Sequence, residues 1–209
     1  MNYRDLTLQQ FAQALYDPTP TPGGGGAAAL SASIGIALGG MVASLTAINK
    51  KYAHCSDEMH DLFMQCKALS DRFLALIDED ARAYEPLSLA YKLPRDTEEQ
   101  IAFRSRAIQE NLVGACQTPI EIMKCCCDAI DILENLCEKG SAMLISDVGA
   151  GLMLMRCALN TASINVYINI RSLKDVDKKN SIKTETDILL NKYTILADNL
   201  YNEVISKIN

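Results

Sequence analysis

The segment from Pro20 to Thr46, PTPGGGGAAALSASIGIALGGMVASLT, constrains the fold more than any other part of the chain. Four successive glycines favour a turn that another group approaches closely, because none of them carries a side chain. The uncharged run that follows predicts a helix so rich in Ala, Gly and Ser that neighbouring helices can pack almost onto its backbone. The sequence therefore predicts a glycine turn that opens a closely packed helix.

No charged residue occurs between positions 18 and 49, a run long enough to cross a membrane, which takes about 20 apolar residues. Its strongly apolar residues recur every three or four positions, which predicts one face of a buried soluble helix: Leu30, Ile34, Leu38, Met41, Leu45 and Ile48. A second stripe is all small and predicts the close approach of a partner helix: Ser31, Gly35, Gly39, Ala43 and Ala47. We expect no membrane partner, although small residues at this spacing also occur in membrane helices.

The composition argues against several classes of protein. Of 209 residues 49% are hydrophobic, the net charge is −6 and Trp is absent, so we expect an ample core and no nucleic acid partner. The first residues, MNYRDLTLQQF, lack the apolar stretch of a signal peptide. The eight cysteines show no C-x-x-C spacing and the two histidines stand in a polar stretch. We therefore expect a cytoplasmic protein with reduced, mostly buried thiols and no metal site.

Helical periodicity runs through the rest of the chain and predicts a single all-α domain, an up-and-down bundle of about six to seven helices over residues 1–209. We expect Pro86 to kink or break the long helix that begins near residue 56. Thr118 and Pro119 should start a new helix after one that ends near residue 116. The segment NVYINI at 165–170 continues a helical stripe, so we predict no strand there.

Polar residues interrupt the apolar stripes at a few positions. Asp80 falls on the core stripe of its helix, so its carboxylate is paired, exposed in a cleft or partly protonated, unless Pro86 rotates it into solvent. Asp147 and Asn165 share a helix face with Asn169, and Ser146 or Asp147 should cap that helix. Such a stripe either lines a cleft or packs helices through amide hydrogen bonds. Asp147 and Asn165 lie about 27 Å apart, so they cannot both touch one reacting atom in one subunit.

The glycine run also has two interpretations. Gly24, Gly26 and Ala29 match a G-x-G-x-x-A dinucleotide fingerprint, but no strand precedes them and no acidic residue follows about 20 positions on. A P-loop Lys-Ser/Thr pair is missing as well. What remains is either a helix N-terminus that contacts an anion or a polar ligand edge, or a tight turn with a close helix crossing. Four glycines favour ligand contact, because a plain turn needs one or two.

Three motifs together resemble one enzyme family, the formiminotetrahydrofolate cyclodeaminases and methenyltetrahydrofolate cyclohydrolases. The first is the glycine-led segment, the second is DEDARAYEPLSLAYKLP at 78–94, and the third combines SDVGAG at 146–151 with NVYINIRSLKD at 165–175. Their order and spacing fit over essentially the whole chain. One departure is notable: the family's Gly-Asn before Ser-Asp is absent, and Gly140-Ser141 stands there.

The resemblance implies an all-α homodimer that acts on a folate, with no tightly bound cofactor and a tetrahydrofolate derivative as substrate. It also allows a separate formiminotransferase partner, and a role in histidine degradation. The chemistry needs an acid or base at the one-carbon centre, and Asp80, with a pKa raised by partial burial, is the candidate. Lys92 would orient, protonate or hold the glutamate tail, and Asp147 would bind the pterin edge or act as second carboxylate. The remaining candidate binding residues are Gly23, Gly24, Gly25, Gly26, Ser31, Tyr84, Ser146, Asn165, Asn169 and Arg171.

Three interpretations of function stay open at this point. The first is a folate one-carbon enzyme, with cyclodeaminase slightly ahead of cyclohydrolase, since both use the same carbon centre and base. The second is a non-catalytic folate-binding bundle, suggested by the missing Asn after Gly140. The third is a membrane-associated helical protein, suggested by residues 18–49.

Overall fold

The computed structural model describes residues 2–209, and its regular structure is helical throughout, with no strand in that part of the chain. Six α-helices follow one another: α1 (Leu8–Tyr16), α2 (Gly24–Ala47), α3 (Ser56–Tyr91), α4 (Glu98–Lys139), α5 (Ile145–Arg171) and α6 (Val176–Ile208). Short 3-10 turns occur at Tyr3–Asp5, Lys50–Cys55 and Ala142–Leu144. The predictions of an all-α fold with six to seven helices and of a helical NVYINI segment are confirmed.

Helix α2 lies at the centre, between α3 and α5 with α4 behind it. Short connections make the consecutive long helices antiparallel, as two ion pairs illustrate: Lys139 of α4 pairs with Glu58 of α3, and Arg156 of α5 with Asp198 of α6. Helix α6 covers α5 and α4 on the outside. This arrangement places the start of α2, the middle of α3 and the end of α5 at the same end of the bundle.

The small stripe of α2 faces the core and the large apolar stripe faces outward, which is the opposite of the prediction for the apolar stripe. The small stripe meets the neighbouring helices: a Cβ on Gly35 would lie 3.0 Å from Leu154 of α5, and one on Gly39 would lie 3.0 Å from Leu133 of α4. The prediction of close helix approach is therefore confirmed. The large apolar stripe instead faces outward, with Ile34 46% and Ile48 78% exposed. The prediction that this stripe is buried in the core is wrong for the single chain, because the small stripe takes the core side.

Two helices are long and apolar enough to cross a membrane, Gly24–Ala47 and Ala142–Arg171. The most apolar stretch of Gly24–Ala47 is 56% buried inside the bundle, and that of Ala142–Arg171 is 44% buried. The central helix of a soluble bundle passes the same test of length and composition, so this finding is weak evidence for a membrane span.

Neither internal proline breaks its helix, so a break at Pro86 and the helix start predicted at Thr118 are wrong. Pro86 lies within α3 and Pro119 within α4. The missing N–H of Pro119 leaves the Ala115 carbonyl without its helical donor. The Asn169 side chain of α5 donates to that oxygen at 3.1 Å, which partly offsets the energetic cost of the proline. The helix start predicted at Ser146 or Asp147 is also displaced, since α5 begins at Ile145.

The cysteines are mostly buried, as predicted. Six of the eight are buried, Cys55 is partly exposed and Cys157 is exposed, and none of them is in a disulfide. Burial raises the pKa of the Cys66 thiol to about 12, so this thiol stays protonated and packs as a small apolar side chain.

Candidate active site at the glycine turn

The glycine turn forms the N-terminus of α2, and its N-cap residue has no side chain that could accept a hydrogen bond from the first backbone N–H groups. Gly23 is the N-cap, with an extended backbone (φ −132°), and the first helical bond runs from the Ala27 N–H to the Gly23 carbonyl. No glycine in residues 2–209 has a positive φ, so the turn does not need glycine for its backbone conformation. The N–H groups of this turn and the positive end of the helix dipole attract a polar or negatively charged group, and the Asp80 carboxylate accepts one of them, the Gly26 N–H.

Asp80 explains why the second helical position must be glycine. The side chain of Asp80 comes from α3 and presses on Gly25: a Cβ on Gly25 would lie 2.5 Å from its Oδ2 and closer still to its Oδ1. Any side chain at Gly25 would therefore displace the carboxyl group. Burial raises the pKa of Asp80 from 3.8 to about 6, against the opposing effect of the Gly26 backbone N–H, which donates to the carboxylate. The prediction of a raised pKa at Asp80 agrees with this environment, and the alternative that Pro86 turns Asp80 into solvent is wrong.

Asn165 reaches the same turn from α5. A Cβ on Gly24 would lie 3.2 Å from its Nδ2 and 3.4 Å from its Oδ1. The Nδ2 group donates to the Thr161 carbonyl at 2.8 Å, which leaves Oδ1 free to accept a hydrogen bond from a ligand. Asp80, Asn165 and the glycine turn thus meet at one place, although the three come from different helices.

Lys92 and Tyr84 lie beside this place rather than in it. Lys92 is the C-cap of α3, about 18 Å along the helix from Asp80 and about 120° round its axis. Both side chains line a cavity of about 490 Å³ that also includes Tyr3, Thr21 and Asp78. A ligand long enough to reach from the turn into this cavity would be needed to contact Lys92.

Asp147 and Ser146 lie at the other end of the bundle, on the first turn of α5. Asp147 is partly buried and Ser146 is exposed. The structure therefore does not bring them to Asp80 within one chain, as the helical spacing had indicated. The segment at Gly140-Ser141, which lacks the family's Asn, is held by hydrogen bonds to other segments. The Ser141 N–H donates to the Thr46 hydroxyl at 3.0 Å, and the Ala142 N–H donates to the Tyr52 hydroxyl at 3.1 Å.

Three further candidates lie outside the turn. The Ser31 hydroxyl donates to the Leu154 carbonyl at 3.5 Å, and the Asn169 side chain donates to Ala115 as described above. Arg171 is exposed in the last turn of α5. Ser31 and Asn169 therefore connect helices in this structure.

One residue of this region was not singled out by sequence reasoning. Asp78 is buried, accepts the Tyr3 backbone N–H at 2.5 Å and faces Arg4 Nε at 3.5 Å. Because Tyr3 and Asp78 are 75 residues apart, no local pattern links them. Within residues 2–209 no group of three or more His, Cys, Asp or Glu side chains is arranged to hold a metal ion.

Comparisons with known proteins agree with the resemblance drawn from the motifs. A family model described as formiminotransferase-cyclodeaminase matches residues 7–188. The methenyltetrahydrofolate cyclohydrolase of Methylorubrum extorquens is 34% identical over 203 residues, which cover 97% of this chain and 98% of that protein. The formimidoyltransferase-cyclodeaminase of Sus scrofa is 29% identical over 160 residues, 77% of this chain but only 30% of that enzyme. The crystal structure of formiminotetrahydrofolate cyclodeaminase from Thermotoga maritima superposes with a TM-score of 0.82 at 25% identity, covering 97% of this chain and 96% of that one.

Proposed function

Because this chain belongs to the formiminotransferase-cyclodeaminase family, and is thus an enzyme of folate one-carbon metabolism, we propose that it is a methenyltetrahydrofolate cyclohydrolase with Asp80 as general base. One observation carries the assignment of the site: a half-buried carboxyl with a pKa of about 6 is held against a glycine turn. The end-to-end similarity to a cyclohydrolase supports the choice of reaction.

The proposed reaction uses Asp80 twice. At neutral pH most Asp80 is ionised, and it removes a proton from a water molecule while the oxygen bonds to the methenyl carbon of 5,10-methenyltetrahydrofolate. The cationic substrate becomes a neutral carbinolamine and Asp80 holds the proton. The bond from this carbon to N5 then breaks as Asp80 gives its proton to N5, and the hydroxyl loses its proton to solvent, which gives 10-formyltetrahydrofolate and ionised Asp80. One proton is released to solvent overall, and neither a metal nor a redox cofactor is required by this balance.

The glycine turn and Asn165 would bind and orient the folate around this carbon. The N–H groups of α2 that precede Gly26 donate to polar atoms of the ligand, and Asn165 Oδ1 accepts a hydrogen bond from it. The cavity beside the turn is large enough for part of the glutamate tail of the folate. Lys92 and Arg82 are among the residues that line it, and these cations would attract the carboxylates of the tail.

Cyclodeamination is the second candidate, favoured by the similarity of this chain to the T. maritima cyclodeaminase over nearly its full length. In that reaction N10 attacks the formimino carbon of 5-formiminotetrahydrofolate, and its proton passes through Asp80 to the departing nitrogen. A second proton from solvent completes ammonia. A formiminotransferase, on this or another polypeptide, would have to supply this substrate, and histidine degradation is the proposed context.

A direct comparison of the two substrates tests the choice. Purified protein is mixed with 5,10-methenyltetrahydrofolate, whose near-ultraviolet absorbance falls on hydrolysis, and separately with 5-formiminotetrahydrofolate, from which ammonia is measured. The cyclohydrolase proposal predicts a higher kcat/KM for hydrolysis. Ammonia release without hydrolysis would replace it with cyclodeamination, and tight folate binding without either reaction would establish the non-catalytic alternative.

We further propose a cytoplasmic homodimer that forms through the outward face of α2 and α5. Ile34 and Met41 of α2 and Ile164 and Ile168 of α5 are exposed on this face, and α2 carries no charged residue. The face is about 36 Å long and about 20 Å wide, from helix rise and spacing. Two copies would bury about 1,400 Å² in total, which is within the usual range for a stable interface.

Cys157 offers a specific test of this dimer. It is the exposed cysteine and stands on α5 in the outward face, near its middle. In a two-fold dimer with its axis near this point, the two Cys157 thiols lie close together, so mild oxidation should cross-link two copies. Cys157→Ser should remove the cross-link, and Ile34→Glu should give a monomer by sedimentation. A wild-type protein that sediments as a monomer would contradict the proposal.

A further inference from the structure

A chain of polar contacts ties the residues before the glycine turn to α3. Asp78, only 5% exposed, accepts the Tyr3 backbone N–H at 2.5 Å. The Tyr3 hydroxyl in turn lies 3.1 Å from the Thr21 carbonyl oxygen, to which it donates, and 3.2 Å from the Thr21 hydroxyl. Thr21 comes two residues before the turn. A buried carboxylate is therefore connected through Tyr3 to the segment that enters the turn.

Apolar contacts continue this connection into the first turn of α2. A Cβ on Gly26 would lie 3.7 Å from Pro22 Cβ and 3.8 Å from Phe11 Cζ, and Phe11 is only 4% exposed. Both residues thus lie directly against the turn. Residues 2–22, here called the N-terminal strap, are held by Asp78 at one end and press on the turn at the other.

We propose that Asp78 and Tyr3 are positioning residues that hold the glycine turn against Asp80 through the N-terminal strap. Asp78 and Asp80 are two residues apart on α3 and point to different sides of it. One carboxylate therefore grips the strap while the other contacts the turn that the strap supports. This inference rests on the proposed role of Asp80. Residues 2–6 precede the segment matched by the family model, 7–188, so that match does not include Tyr3.

The variant Tyr3→Phe tests the proposal, because it keeps the ring and removes only the hydroxyl. A single hydrogen bond changes an equilibrium by a factor of roughly 2 to 13. We expect amide hydrogen exchange in residues 19–27 to become faster by about that factor and kcat/KM to fall about three- to tenfold. A looser turn in Tyr3→Phe should also let water reach Asp80. Since burial is what raises the pKa of Asp80, that pKa should fall, and the acid limb of the pH profile of kcat/KM should move to lower pH.

Tyr16→Phe is the matched control. Tyr16 belongs to the same strap, is 83% exposed, and should show no change in exchange, activity or pH profile.

Two results would overturn the proposal. The first is exchange of residues 19–27 in Tyr3→Phe at the wild-type rate. The second is a loss of activity that only follows a lower Tm, with the acid limb unmoved, because that pattern belongs to a purely structural residue. Exchange is measured without substrate, so it reports on the strap even if wild-type protein turns over neither folate, a result that would contradict the proposed function alone.

Discussion

Replacing Asp80 by Asn should make the protein more stable at neutral pH while it removes catalysis. Burial raises the pKa of Asp80 from 3.8 to about 6 in the folded protein. A pKa difference of one unit corresponds to 1.36 kcal/mol, so ionised Asp80 lowers the free energy of unfolding by about 3 kcal/mol at pH 7. Asn carries no charge and retains an oxygen that accepts the Gly26 N–H. Asp80→Asn should therefore gain up to about 3 kcal/mol.

The sign of the pH dependence follows from the raised pKa. Below about pH 4, Asp80 is protonated in both the folded and unfolded states, and the two proteins should be equally stable. Between pH 4 and 6 the unfolded chain ionises before the folded one, so wild-type protein loses stability relative to Asp80→Asn. Above pH 6 to 7 the difference should stay constant at its maximum.

Urea unfolding of both proteins at intervals from pH 4 to pH 8 measures this difference. Groups other than Asp80 titrate alike in the two proteins and cancel. Asp71→Asn is the matched control, since Asp71 is an exposed aspartate on the same helix and should change stability by less than about 0.5 kcal/mol. If Asp80→Asn is no more stable than wild type at pH 7, the claim that the buried, ionised Asp80 destabilises the folded protein is refuted.

Three further predictions concern the turn, its neighbours and the bundle. Gly25→Ala should displace the Asp80 carboxyl by about 1 Å and lower kcat about 100-fold with little change in Tm. Its control is Gly114→Ala, where a Cβ meets nothing within 4 Å and which should keep full activity. Equal activity of the two variants would contradict the role of Gly25. Asn169→Ala should lower the free energy of unfolding by about 1–3 kcal/mol, because it leaves the Ala115 carbonyl unpaired, and chemical denaturation that shows no change would refute this account of Pro119. Asn165→Ala should raise KM more than it lowers kcat, and steady-state kinetics that show unchanged KM would exclude Asn165 from binding.

The sequence predicts the all-α fold and singles out the residues at the centre of the candidate site, because both depend on local pattern. Four glycines and a carboxylate on a core stripe are visible without a structure, and the contact of Asp80 with Gly25 explains the carboxylate and one of the glycines. The prolines were misjudged since tertiary contacts override a local cost: Asn169 supplies a donor that Pro119 lacks, from 50 residues away along the chain. Periodicity located the apolar stripe of α2 but could not tell which stripe faces the core, because small residues that allow close packing can displace large ones from it.

The parts of the site formed over long sequence separations were out of reach for the same reason. Asp78 binds Tyr3 across 75 residues, and nothing in either segment marks the pair. The candidate Lys92 came from the family resemblance and Asp147 from a shared helix face and then the resemblance, and in a single chain both lie away from Asp80. Their roles remain proposals that depend on the length of the ligand and on the arrangement of two copies.

The pH dependence of methenyltetrahydrofolate hydrolysis tests the central claim most directly. The decay of near-ultraviolet absorbance is followed from pH 5 to pH 8 with wild-type protein and with Asp80→Asn, and the rate without enzyme is subtracted. The account predicts saturable decay whose kcat/KM rises through about pH 6 to a plateau, and a loss of 100-fold or more at the plateau in Asp80→Asn. Wild-type rates in Asp80→Asn, with the same acid limb, would show that another group is the base and would contradict the account.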